Sequence, residues 1–502
     1  MLYTTNRMVK ILSYNAIRVL LTILSGLLTP LLLVRNHELS GLGYFSLASA
    51  YAAIIYLLFD FGLNTYYSRT SAKIAPSEQS DHFWGTVLLK LLASLLASLV
   101  IFLLANLPDQ IVNPEVKELL FLYALGAPLF MLQSLTSQAF LTLGFIKIQL
   151  QSELLNKFSY LLSLGMLSLY MTSLQQFVFP LLLAYLLQLS FLLYRALKVI
   201  PRERKTIPLP YLVKHFKASL QFYLFTLASM LYGRVDVVTL SFISTPTQVG
   251  IYALAYRGAE LLAELGYNIS NYFYRDLAEH GKLLLLKTNK FLLKLLSLLG
   301  LLGITVAILF APLLKIDKND FIFPIFFMVL CGGLMALNQI TRSYLTLDTS
   351  MRVLEKFMAY TISVEFVTVL ILGRIFGGLG ATIGVFVAEF FLYQLLSSKA
   401  NIYLRALILY PLPILFIAIT GFLLDSNLYL LGLTLVVFSL LISGYLLNYL
   451  KNSLLDLKEA GRVVIAEQGF IVAKLSQSLN SLTQTVKLLH QNLDNLLSRI
   501  TK

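Results

Sequence analysis

The chain is poor in charge and almost without cysteine. Of 502 residues, 13% are charged and 58% hydrophobic, and there is one cysteine. Soluble domains carry about a quarter charged residues and are closer to half apolar, so a soluble fold is excluded. One cysteine, Cys331 in an apolar run, excludes a disulfide framework and a cysteine-built metal site. The five histidines (His37, His82, His215, His280, His490) fall at predicted loops or in the tail, without ligand spacing. The phosphate-binding pattern G-x-x-x-x-G-K-[ST] and the zinc pattern H-E-x-x-H do not occur. ATP-driven chemistry, a metal site and any resident cofactor are therefore not expected. Long outer loops are missing too. The longest, "NLPDQIVNPEVK" (Asn106 to Lys117), leaves no room for an extracytoplasmic catalytic domain.

What fills the chain instead is apolar runs. About 20 apolar residues cross roughly 30 Å of hydrocarbon, and such runs can be laid out about fourteen times, starting near 10, 42, 83, 118, 152, 176, 217, 249, 289, 321, 355, 378, 404 and 427. The first, after Arg7 and Lys10, is too long for a cleaved signal peptide. The expected fold is an all-α integral membrane bundle. With the N-terminus cytoplasmic, 23 Lys and Arg fall in inner loops and five in outer loops, before the tail is counted. This asymmetry orients the chain, with both termini inside, and accounts for most of the +14 net charge. The basic cluster at 195–217 is then a solvated inner loop, and no nucleic-acid partner is implied.

The chain repeats itself. "GLGYFSLA" (Gly41 to Ala48) opens the second run and "QVGIYALA" (Gln248 to Ala255) the eighth. Below them "DFGLN" (Asp60 to Asn64) echoes "ELGYN" (Glu264 to Asn268). Six runs per half put both halves on the same side, a parallel repeat. The expected division is a six-helix lobe over 1–200, a second over 201–402, an extra helix pair at 403–450 and a cytoplasmic tail at 451–502.

Positions three and four apart share a helix face. Run eight carries Arg257, Glu260, Glu264, Asn268, Asn271 and Arg275 on one stripe; run one carries Asn15, Arg18, Thr22, Ser25 and Thr29; run seven carries Thr226, Ser229, Gly233 and Asp236. A central Arg or Asp costs roughly 2.5–3.5 kcal/mol on the insertion scale, so these stripes avoid lipid. Two readings stand side by side: they line a cavity with Asp60 and Asn64, or they pair with one another, Arg257 with Glu260 and Arg18 with Asp60 and Lys90. Arg234 lies about 200° around the helix from Asp236 and packs elsewhere or snorkels. Glu365 and Glu389, at mid-membrane, are candidate proton sites or helix–helix hydrogen bonds. The glycines of "GRIFGGLGATIG" (Gly373 to Gly384) predict a tight outer turn and close helix packing. In the tail, Val472, Leu475, Leu479, Leu482, Val486, Leu489, Leu493, Leu496 and Ile500 form a coiled-coil seam, for self-association or a partner helix.

With these residues placed, "RVDVVTLSFISTPTQVGIYALAYRGAELL", "DFGLNTYYSR" and "FGGLGATIGVFVAEF" resemble the polysaccharide-transporter (O-antigen flippase) family of the multidrug/oligosaccharidyl-lipid/polysaccharide exporter superfamily, over residues 5–450. The resemblance implies a two-lobed bundle that flips polyprenyl-pyrophosphate-linked sugars outward by alternating access. It also implies a cationic cavity for the pyrophosphate, for which Arg18 and Arg257 are the best equivalents, then Lys90 and Arg234. Asp60, Asp236, Glu260, Glu264, Glu365 and Glu389 are then the candidates for proton or ion coupling, and Asn15, Asn64, Asn268 and Asn271 the polar lining. Two departures are the absence of the proline often found after run eight, where this chain has "YFYRDLAE", and the coiled-coil tail. The rival readings are a multidrug exporter of the same superfamily, a membrane-embedded polymerase or glycosyltransferase, and a scaffold acting through the tail.

Overall fold

The computed structural model describes residues 2–71, 74, 76–110, 112–168, 173–200, 208–223, 227, 231–310, 318–348 and 351–402. The expected helix pair at 403–450 and the coiled-coil seam at 472–500 lie outside the described residues. Among those described, every regular element is helical: α1 (Leu2–Leu58), α2 (Leu63–Thr70), α3 (Pro76–Ala105), α4 (Pro114–Thr142), α5 (Ile146–Leu167), a 3-10 turn (Leu174–Phe177) and α6 (Val178–Val199). The chain continues with α7 (Leu209–Leu220), α8 (Val235–Ile243), α9 (Pro246–Phe310), α10 (Lys318–Asp348) and α11 (Met351–Ala400). Six helical segments of the described residues are long and apolar enough to cross a membrane: Leu24–Leu58, Glu78–Ala105, Pro114–Thr142, Leu174–Val199, Phe321–Leu347 and Val353–Ala400.

Three of the long helices are two runs joined across a kink. The kinks fall at Glu38 (φ 60°, ψ −173°), Gly281 (φ 58°, ψ −140°) and Gly377 (φ 59°, ψ −134°). Glycine reaches this region without steric cost, but a glutamate does not. At Gly377 the turn is fastened from outside: the Gly378 N–H donates to Gln248 Oε1 at 2.8 Å. The glycine-rich stretch therefore does form the tight turn and close packing its composition suggested. An alanine methyl at Gly380 would fall 1.9 Å from the Leu372 carbonyl oxygen.

The chain forms two compact units, Met1–Leu254 with Met358–Ala381, and Ala255–Phe357 with Thr382–Lys502. In the first, α3 and α4 lie side by side, α1 packs on α4 and α5, and α6 on α4 and α5. An apolar cluster of Tyr67, Phe83, Leu135, Phe140 and Leu192 ties α2, α3, α4 and α6 together. The helix broken after Leu58 resumes at α2 through Phe61 (φ 50°) and Gly62 (φ 72°). Gly62 fits because a methyl there would meet the Ser219 carbonyl oxygen at 2.6 Å. In the second unit, Gly266 of the echoing motif lies within the helical run of α9 that precedes the Gly281 kink, where a methyl would sit 2.4 Å from Ala336 Cα. The two copies of the motif thus use the same glycine differently, once as a turn and once as a helix–helix contact.

Candidate functional site

In the first unit the stripe of the first run faces α5. Arg18 Nη1 donates to Glu153 Oε2 at 3.0 Å, and Gln149 Nε2 donates to Glu153 Oε1 at 2.5 Å. About three turns further along α1, Thr29 Oγ1 and Tyr160 Oη are 2.7 Å apart. The Arg18 and Glu153 side chains remain 19% and 26% accessible, so the pair is reachable. Glu153 is not among the residues the stripes singled out. The signal was present, since Gln149, Glu153, Asn156, Tyr160 and Ser163 step by 4, 3, 4 and 3 along α5 and so share a face.

Asp60 and Lys90 form a separate ion pair, Lys90 Nζ donating to Asp60 Oδ1. Their residues are 4% and 1% exposed. Arg18 is paired with Glu153. Asp60 Oδ2 is buried without a hydrogen-bond partner, so its charge is answered by Lys90. A pair so enclosed is costly to open, because removing one partner of a buried ion pair costs about 3–5 kcal/mol. Asn64 Nδ2 donates to Ser134 Oγ at 3.1 Å.

Asp236 is fully buried in the first turn of α8, where the helix dipole favours a carboxylate. Its Oδ2 accepts from Tyr252 Oη, and its Oδ1 from the Val237 N–H at 2.7 Å. Arg234 caps the same helix from the turn that breaks run seven (φ −142°), half-buried, with no carboxylate paired to it among the described residues. Thr226 and Ser229 of that stripe lie outside the described residues.

In the second unit Arg257 Nη1 donates to Glu260 Oε2 at 2.6 Å, an i,i+3 pair with side chains 39% and 34% accessible. Exposed pairs at this spacing stabilise a helix by only about 0.2–0.5 kcal/mol. Of the three ion-paired candidate cations Arg18, Lys90 and Arg257, Arg257 is the most accessible and Lys90 the most enclosed. Glu264 is half-buried on the same helix. Glu389 is 1% exposed, and its Oε2 and main-chain oxygen accept from Asn338 Nδ2 at 2.7 and 3.0 Å. Glu365, 2% exposed, lies on the part of α11 that belongs to the first unit. The side chains of Asn15, Asn268 and Asn271 lie outside what is described. Among the described residues no three His, Cys, Asp or Glu side chains gather as a metal site.

The helical bundle with ion-paired charges can be compared with solved structures. A structure described as lipid II flippase MurJ in the inward closed conformation is 12% identical, covers 87% of this chain and 99% of its own, and superposes with a TM-score of 0.65. A MATE transporter in complex with MaD5 is 14% identical over 77% of this chain and 95% of its own, with a TM-score of 0.49. An inward-facing multidrug resistance MATE family transporter of the MOP superfamily is 12% identical over 76% and 98%, with a TM-score of 0.46. At such identities the first likeness shows the fold alone. No curated protein sequence matches the chain. The family model described as "Polysaccharide biosynthesis protein" matches residues 9–265. The chain belongs to the polysaccharide biosynthesis protein family.

Proposed function

We propose that this protein is a flippase for a polyprenyl-pyrophosphate-linked oligosaccharide, carrying it from the inner to the outer leaflet of the cytoplasmic membrane for cell-surface polysaccharide biosynthesis. The observation that carries the reading is the Arg257–Glu260 pair: a partly accessible guanidinium on the polar stripe of α9, within reach of an entering anion. Arginine binds such anions through charge-assisted, often bidentate hydrogen bonds. Arg18 receives the headgroup from the inner side and Arg257 draws it outward, each exchanging its carboxylate for the phosphate. Arg234 adds a positive charge on the way, and Lys90 holds Asp60 rather than substrate. Some fourteen spans and alternating access of two lobes complete the picture, with both termini cytoplasmic. The chain acts as a transporter and not as an enzyme, and its tail at 472–500 engages a second copy or a partner helix.

An inside-negative potential favours the outward step by about 2.3 kcal/mol per negative charge per 100 mV. Asp60, Asp236, Glu260, Glu264, Glu365 and Glu389 are the groups available for ion exchange. The buried Glu365 and Glu389 also suit the rival reading, a multidrug/cation antiporter, because a buried carboxylate is the usual partner of an exchanged proton. Reconstituted vesicles loaded with a fluorescent polyprenyl-pyrophosphate glycan separate the two. Flipping that is lost in Arg257→Ala supports the flippase, whereas no flipping together with pH-driven uptake of a cationic dye supports the antiporter.

A further inference from the structure

Two histidines 133 residues apart in the sequence meet inside the first unit. His82 on α3 is fully buried and His215 on α7 is 8% exposed. Their Nδ1 atoms are 3.3 Å apart. Tyr66 Oη lies 2.8 Å from His215 Nδ1, and Thr70 Oγ1 lies 2.9 Å from His82 Nε2. Tyr67 stacks flat on the His82 ring, with centroids 5.0 Å apart and an 8° interplanar angle, while Tyr211 covers His215 at 4.0 Å.

Counting protons gives an arrangement in which both rings are neutral. The single hydroxyl proton of Thr70 goes to the Tyr66 carbonyl oxygen at 2.7 Å. The contact to His82 is therefore donated by His82 Nε2–H. In a neutral imidazole that leaves Nδ1 bare, so His82 Nδ1 accepts from the His215 Nδ1–H, which Tyr66 Oη shares. The arrangement satisfies three polar groups with both rings neutral. A proton added to His82 sets N–H against N–H unless His215 moves its own proton to Nε2, and two added protons place two cations 3.3 Å apart.

The surroundings offer such charge no relief. From α2 the rings meet Tyr66, Tyr67 and Thr70; Arg69, at the end of α2, lies over Phe222 at 5.4 Å. From α3 the neighbours along the chain are Glu78, exposed one turn away, and Asp81. From α7 come Tyr211 and Lys214. Apolar side chains of α4 and α6, Leu135, Ala139, Phe140 and Ala196 among them, pack with Tyr67 and Phe83, and Arg195 of α6 is the neighbour of Ala196 along the chain. Among the described residues no carboxylate is hydrogen-bonded to either ring. Burial, and after it the charge of Lys214, hold His215 below its ordinary value of 6.5.

We infer that the His82–His215 pair is a proton-operated latch that fastens α7 to α2 and α3 while both rings are neutral and releases it when the pair takes up protons. The sign follows from linkage: the closed state binds protons less readily than the open one, so it is fully favoured above 6.5 and is lost as the pH falls below it. The basic loops mark this end of the unit as cytoplasmic, so the latch reads the acidity of that side. It governs the segment that leads into run seven and is independent of which substrate is carried.

The test is a distance measured between spin labels at Glu78→Cys on α3 and Val213→Cys on α7, both exposed positions, in full-length protein on a Cys331→Ala background. In nanodiscs from pH 8 to pH 5, the wild-type pair is expected to give a distribution that shifts to longer distances, with a midpoint below 6.5. His82→Asn and His215→Asn, tested separately, are each expected to abolish the pH dependence. A distance that does not change with pH in the wild type, or that changes equally in both variants, overturns the proposal.

Discussion

Gly43 and Gly250 face each other, each making room for the other's helix. A methyl on Gly43 would fall 2.0 Å from the Pro246 carbonyl oxygen, and one on Gly250 would fall 1.9 Å from that of Leu39. The two positions are equivalent in "GLGYFSLA" and "QVGIYALA", so the repeat is used as a reciprocal contact between its own copies. Small residues let helix backbones approach within a membrane, where packing replaces the hydrophobic effect as the attraction. Either Gly43→Ala or Gly250→Ala drives a methyl into main-chain atoms that no rotamer change can move. Overpacking costs roughly 1–3 kcal/mol even where side chains yield. Each variant is expected to lower the thermal midpoint of the detergent-solubilised protein clearly, whereas Gly165→Ala, with open space around its Cβ, is expected to leave it unchanged.

The Asp60–Lys90 pair predicts a different signature. Lys90→Met and Asp60→Asn each strand one buried group, and each is expected to cost about 3–5 kcal/mol. The double variant removes both charges and is expected to recover most of that loss in the same melting experiment. Full stability of Lys90→Met together with lost substrate binding would instead place Lys90 in the substrate path.

Under the proposed function, a substrate phosphate has to replace Glu153 at Arg18. Glu153→Gln keeps the size and one hydrogen bond but removes the competing charge. Affinity for a polyprenyl pyrophosphate is expected to rise roughly tenfold, equivalent to about 1.4 kcal/mol. Arg18→Ala is expected to weaken it, and equilibrium binding by both variants is the check.

Glu38 occupies a backbone region that its counterparts at the other two kinks fill with glycine. Glu38→Gly is expected to stabilise the protein by about 1 kcal/mol, the lower end of such strain. An unchanged or lower melting midpoint would show that the Glu38 side chain contributes more than its backbone costs.

Much of the fold was legible because membrane helices announce themselves by long apolar runs, and most of the described helices fall where those runs were drawn, though a turn before Arg234 breaks run seven. Local pairs were legible too: Arg257 and Glu260 share a face by spacing alone. Contacts between distant runs were not. Spacing shows that Arg18 and Glu153 each lie on a polar stripe, but not that the two stripes meet across 135 residues. His82 and His215 sat near loops without ligand spacing, and only the packing of α3 against α7 brings them together. The repeat was visible as similarity, yet nothing in "DFGLN" and "ELGYN" says that one glycine turns the chain and the other packs a helix.

The central claim is that Arg257 holds a lipid-linked pyrophosphate. Native mass spectrometry of gently solubilised wild type beside Arg257→Ala tests it most directly. The account predicts a polyprenyl-pyrophosphate glycan retained by the wild type and missing from the variant, its mass giving the sugar. A glycan retained equally by both would contradict it and leave Arg257 as the structural partner of Glu260.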